Sequence, residues 1–129
     1  ISGVRILLVE DNELNAEIAE FMLTENGAKV ETVKNGLEAV QHFEACESGT
    51  YDVILMDVMM PVMDGLTATK TIRSLERQDA KTISIIAMTA NAFREDAEKC
   101  IEAGMNAHLS KPIVIEEVIK TILRYVHND

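Results

Sequence analysis

The sequence predicts a doubly wound α/β domain, a parallel sheet of five strands in the order 2-1-3-4-5 with helices on both faces. Three observations predict it. Five short apolar runs alternate strictly with five amphipathic segments. Several of those runs are apolar at successive positions, as strands covered on both faces must be. Alternating buried strands and helices form parallel sheets, and 2-1-3-4-5 is the common order for five such units.

Val4 to Val9 (VRILLV) is the first strand. From Glu13 the period becomes helical: Leu14, Ile18, Phe21 and Met22 fall on one face, and Glu13, Glu17 and Glu20 fall outside it. Asn12 is placed to cap this helix at its start and Gly27 to end it. Lys29 to Val33 (KVETV) is a weaker second strand, and Asn35-Gly36 a turn before a helix marked by Leu37, Val40 and Phe43. Asp52 to Met56 (DVILM) is the third strand, ending at Asp57. The segment VMMPVMDG, with its Pro and Gly, is a loop, with Asp64 as a helix cap. A third helix is predicted from about Leu66 to Arg77, then a fourth strand from Thr82 to Met88. Phe93, Ala97, Cys100 and Ile101 mark a fourth helix stopped by Gly104; Ala107 to Ser110 is a short fifth strand. Pro112 breaks the chain, and Ile115, Ile119, Ile122 and Val126 stripe the last helix.

The 129 residues fit one domain, 1–129, at about 100–200 residues per domain. Twelve Lys and Arg against 22 Asp and Glu give a net charge of −10. Such a surface repels phosphate backbones and anionic lipid, which argues against nucleic-acid and membrane partners for this domain. No apolar run approaches a membrane span and no signal peptide is visible. Cys46 and Cys100, without a CxxC or Cys/His cluster, read as reduced thiols. The expected compartment is the cytoplasm, with membrane anchoring of a parent protein left open. Ile1 in place of Met suggests a piece cut from something longer.

Ligands of open α/β sheets bind beyond the carboxyl ends of the strands, near the switch in strand order. In the predicted order, strand 1 ends in Glu10-Asp11, strand 3 in Asp57, strand 4 in Thr89, and strand 5 runs into Lys111. Singly, each has an ordinary reading: a turn or cap for an Asp, an N-cap for Thr89, a solvated charge for Lys111. Together, they place three carboxylates, a hydroxyl and an ammonium on one edge. Crowded carboxylates repel unless a cation sits among them, and hard oxygen donors with room for water suit Mg²⁺. A carboxylate beside Mg²⁺ and a Lys can attack phosphorus and form an aspartyl phosphate.

The motifs LLVEDN at 7–12, LMDVMMPVMDG at 55–65, MTAN at 88–91 and KP at 111–112 closely resemble the receiver domain of two-component response regulators. The wording VEDNELN and MTANAF is most similar to receivers carried by hybrid sensor histidine kinases. The resemblance spans essentially the whole chain. It implies a flavodoxin-like (βα)5 fold and phosphoryl transfer to Asp57 from a phosphohistidine on a histidine kinase or histidine phosphotransfer domain. It also implies Mg²⁺ held by Asp11, Asp57 and the backbone carbonyl of Met59, with Glu10 acting through metal-bound water. Thr89 and Lys111 would contact the phosphoryl group, Pro61 and Gly65 would shape the loop, and the Lys111–Pro112 bond would be cis. Met59 and Asn91 would flank the path of attacking water, which suits slow loss of the phosphoryl group. The domain would catalyse its own phosphorylation and dephosphorylation, and a homodimer stays open.

His108 stands where the family commonly has Phe or Tyr, so a switch role and a plain strand-edge His are both open. His42 and His127 read as surface residues. Met56 reads as core, and Met59, Met60 and Met63 as loop packing or a partner surface. Two rival classes remain. A Mg²⁺-dependent phosphohydrolase of the haloacid dehalogenase type would need an acid two residues after the nucleophile, where Met59 stands. An unphosphorylated interaction module would be expected to have lost part of the acid, Thr and Lys set. A flavin-binding module is disfavoured because Glu10-Asp11-Asn12-Glu13 repels phosphate.

Overall fold

A computed structural model describes residues 1–58, 62–89, 94–111 and 113–126. The strands are β1 (Arg5–Val9), β2 (Lys29–Val33), β3 (Val53–Asp57), β4 (Ser84–Thr89) and β5 (Ala107–Ser110). They form one parallel sheet in the order β2-β1-β3-β4-β5, the flavodoxin-like arrangement the sequence predicts. The helices are α1 (Glu13–Glu25), α2 (Gly36–Ala45), α3 (Gly65–Arg73), α4 (Gln78–Thr82), α5 (Arg94–Ala103) and α6 (Ile115–Tyr125).

Successive strand side chains point to opposite faces, so each central strand feeds two cores. Leu7, Val9, Ile54, Met56, Ile85 and Ala87 pack with Ala39, Phe43, Ala68 and Ile72 beneath α2 and α3. Ile6, Leu8, Val53, Leu55, Ile86 and Met88 pack with Ala19, Leu23, Val118 and Ile122 beneath α1 and α6. This double burial is why β1, β3 and β4 read as nearly continuous apolar runs.

Two expectations are corrected. The apolar stripe of α1 is not its packed face: Leu14 and Phe21 are each 64% exposed and Ile18 49%, whereas Ala16, Ala19 and Leu23 are buried. Small alanines let the helix lie close to the sheet, and the larger residues one position round the turn face outward. The third helix does not run to Arg77. It ends at Arg73, and the short α4 delays β4 until Ser84, giving six helices among the described residues rather than five. Side chains impose that break. Lys81 Nζ donates to the carbonyls of Arg73 (3.3 Å) and Leu75 (3.0 Å), satisfying the end of α3. Arg77 lies over the Phe43 ring and donates to the Phe43 carbonyl (2.6 Å) at the end of α2.

The expected caps are present. Asn12 Oδ1 accepts from the Asn15 N–H (2.9 Å), Asp64 Oδ1 from the Thr67 N–H (2.8 Å), and Gly27, at φ +90°, follows the α1 C-cap Asn26. Neither Cys46 nor Cys100 is in a disulfide. His42 lies on the surface, 3.6 Å from Glu31. Met56 is core, Met63 packs half-buried against it, and His127 lies outside the described residues.

Candidate functional site

The register of the parallel strands brings the polar residues to one edge. Val9 pairs with Met56, Asp57 with Met88, and Thr89 with Ser110. Glu10 and Asp11 therefore leave β1 beside Asp57, the last residue of β3, and Lys111 leaves β5 beside Thr89, the last residue of β4. Asp57 belongs to the strand rather than following it, and its backbone is held in the ladder.

Asp57 and Glu10 are buried, at 2% and 4% exposure; Thr89 is also buried and Asp11 is exposed. Lys111 Nζ lies 2.9 Å from Asp57 Oδ2 and 2.9 Å from Glu10 Oε2. The other Glu10 oxygen accepts the Asn12 N–H at 3.1 Å. Burial pulls the Lys111 ammonium toward the neutral form, but its hydrogen bonds to Asp57 and Glu10 outweigh this and raise its pKa above the ordinary lysine value. The Lys111 N–H also donates to the Thr89 carbonyl (2.8 Å), which ties β5's exit to β4.

One oxygen each from Glu10, Asp11 and Asp57 lie within 4.8 Å of one another. Three carboxylates of that spacing, two of them buried, carry more negative charge than the one ammonium offsets. Their donor chemistry fits a small hard cation such as Mg²⁺. The Met59 carbonyl expected to join them lies outside the described residues, as do Pro61, Asn91 and Pro112. Gly65 meets its expected part: a Cβ there would overlap the Asp57 carbonyl oxygen, so only glycine lets α3 start this close to β3.

A cavity of about 360 Å³ opens beside the site, lined by Glu10, Lys111 and the apolar Ile18, Met22, Met88 and Ile113. A larger cleft of about 620 Å³ lies away from the carboxyl edge, between α5, β5 and α6. Exposed His108 lines it, in keeping with a strand-edge position. Sequence reasoning misses the apolar side of the first cavity, because a helical stripe reads as a packed face and Ile18 and Met22 of α1 instead line the cavity. It also misses the backbone contact that aims Glu10, which no side-chain pattern records.

A parallel five-stranded sheet with an acid cluster and a lysine at its carboxyl edge defines an aspartate-centred domain of the kind found in two-component signalling. Over residues 6–123 the chain matches the response regulator receiver domain, and it belongs to that family. A probable histidine kinase from Oryza sativa subsp. indica is 39% identical over 95% of this chain and 15% of its own length. Curated relatives of this kind are far longer, the chain spanning 4–16% of their length. The receiver domain of a sensor histidine kinase from Pseudomonas aeruginosa, solved with magnesium coordinated in its active-site cleft, is 42% identical with a TM-score of 0.85, covering 96% of this chain and 98% of that one. The receiver domain of a response regulator from Saccharomyces cerevisiae, solved with a histidine phosphotransfer protein, is 31% identical with a TM-score of 0.86, covering 97% and 90%.

Proposed function

We propose that this receiver domain accepts a phosphoryl group on Asp57 from a phosphohistidine carried by a histidine kinase or histidine phosphotransfer domain. The observation that carries the reading is the buried Asp57 carboxylate held between Lys111 and the Glu10–Asp11 pair. An Asp57 carboxylate oxygen attacks phosphorus, the P–N bond breaks, the imidazole nitrogen leaves with the electron pair, and an acyl phosphate forms. Lys111 reaches Asp57 Oδ2 and is positioned to offset charge on the transferred phosphoryl oxygens. Thr89, on the neighbouring strand end, offers a hydroxyl to the same group. Asp11, Asp57 and the Met59 carbonyl would hold Mg²⁺, with Glu10 acting through water. When bound, the ion supplies charge neutralisation at the phosphoryl oxygens.

The residues 1–129 act as one receiver unit of a longer cytoplasmic or cytoplasm-facing protein. Exposed Leu14, Ile18 and Phe21 on α1, next to the cavity beside Lys111, give a donor helix an apolar surface within reach of Asp57. The phosphohydrolase reading gains no support, since no acid stands two residues past Asp57.

Intact mass after incubation with acetyl phosphate and Mg²⁺ tests the reading. The wild type should gain one phosphoryl group, and Asp57→Asn or an excess of chelator should abolish the gain. Full uptake by Asp57→Asn would overturn the assignment.

A further inference from the structure

β5 carries Lys111 to the site, yet its own side chains hold it weakly. It lies at an edge of the sheet, and of its residues only Leu109 is buried. A strand with so little apolar pattern specifies its register poorly. The register is nevertheless fixed, with Ile86 opposite Ala107 and Thr89 opposite Ser110. Asn106, immediately before the strand, supplies what the pattern lacks. Its N–H donates to the Ile85 carbonyl (2.8 Å), and its side-chain Oδ1 accepts the Ile85 N–H (2.8 Å). The side-chain oxygen thus stands in for a backbone carbonyl at the start of the β4–β5 ladder. Oδ1 also accepts from Arg73 Nη2 (3.0 Å), and the Asn106 carbonyl accepts from the Tyr125 hydroxyl (3.0 Å). Arg73 is itself fixed, its Nε donating to the Gly104 carbonyl (3.0 Å) and its Nη1 to the Ala80 carbonyl (3.0 Å). Asn106 is exposed, yet both its oxygens are engaged by α3, β4 and α6.

Lys111 lies five residues further on, about 16 Å along the strand. Its ammonium bridges Asp57 and Glu10 at 2.9 Å, and its N–H donates to the Thr89 carbonyl. A slip of one residue would carry it about 3.3 Å, out of hydrogen-bond reach of both carboxylates. We infer that Asn106, locked by Arg73, is a positioning residue for phosphoryl transfer: it sets the register of β5 and thereby the place of the Lys111 ammonium against Asp57. The link to transfer rests on Asp57 being the acceptor; the link to Lys111 does not. Glu10, Asp11 and Asp57 belong to β1, its exit and β3, so the acid cluster keeps its place without Asn106.

The test compares Asn106→Ala with Asn106→Asp, which keeps an oxygen for Ile85 and Arg73. The site is exposed, so both variants should fold. Amide hydrogen exchange, followed by NMR, reads the far end of the strand. In Asn106→Ala the Lys111 amide should exchange about tenfold faster or more relative to the Leu55 amide of β3. With acetyl phosphate and saturating Mg²⁺, phosphorylation should slow about tenfold or more, as a small misplacement of a reacting group costs. Mg²⁺ should bind as tightly as in wild type or more tightly, because a displaced ammonium leaves the carboxylates less neutralised. Asn106→Asp should match wild type in all three. Wild-type Lys111 exchange or a wild-type phosphorylation rate in Asn106→Ala would overturn the inference. So would weaker Mg²⁺ binding, which would mean that the whole edge is disturbed, or an Asn106→Asp no better than Asn106→Ala. Failure of the wild type to take phosphate would instead overturn the assignment of Asp57, and exchange and Mg²⁺ binding would still decide the hold on Lys111.

Discussion

Lys111 Nζ lies 2.9 Å from Asp57 Oδ2 across 54 residues of sequence, and the same ammonium reaches Glu10 Oε2. The contact joins the exit of β5 to the end of β3 over the intervening β4. It also decides what the acid cluster is without a metal: two buried carboxylates share one cation, and exposed Asp11 stands beside them.

Removing that cation should therefore destabilise the domain. Lys111→Met leaves Asp57 and Glu10 buried without their partner, and a loss of about 2 kcal/mol is expected in the presence of chelator. Urea unfolding measures it. Adding Asp57→Asn to the same variant removes one of the stranded charges and should recover part of the loss. A fully additive double variant would mean that the two residues do not interact.

The α1 helix offers a test of which face is buried. Phe21→Ser changes an exposed side chain and should alter stability by no more than about 0.5 kcal/mol. Leu23→Ala empties a core position and should cost about 3 kcal/mol. The apolar stripe as a helical wheel draws it would rank Phe21 as the costlier site, and thermal or urea melts of the two variants distinguish the cases.

The clamp at α4 carries a pH signature. Burial pushes the Asp79 carboxyl toward the protonated form, but hydrogen bonds from Arg77 and the Gly49 N–H outweigh this, and its pKa falls below the ordinary value of 3.8. Arg77 Nη2 lies 2.8 Å from Asp79 Oδ2. A carboxyl with a depressed folded-state pKa contributes stability that is complete above the unfolded value and is lost as pH falls through the folded one. Wild type should exceed Asp79→Asn by about 1 kcal/mol at pH 5 and above. The gap should close as pH falls from about 3.8. A gap that persists undiminished to pH 2 would place the effect elsewhere.

Much of this domain was legible in order along the chain. Continuous apolar runs at Ile6–Val9, Val53–Met56 and Ile85–Met88 announce strands covered on both faces, and parallel strands put their carboxyl ends on one edge. From that alone Glu10, Asp11, Asp57, Thr89 and Lys111 converge, because strand direction, not side-chain detail, places them. Asn12 and Asp64 capped their helices as local chemistry required.

Tertiary contacts decided the rest. Which side of α1 meets the sheet depends on how close Ala16 and Ala19 let it approach, and a periodicity cannot distinguish a packed stripe from a displayed one. The end of α3 depends on Lys81 and Arg77, which reach carbonyls on α3 and α2. The pairing of Lys111 with both Glu10 and Asp57 follows from distances between segments far apart in sequence. Local order is set by each residue's own preferences, whereas those distances exist only once the sheet has assembled.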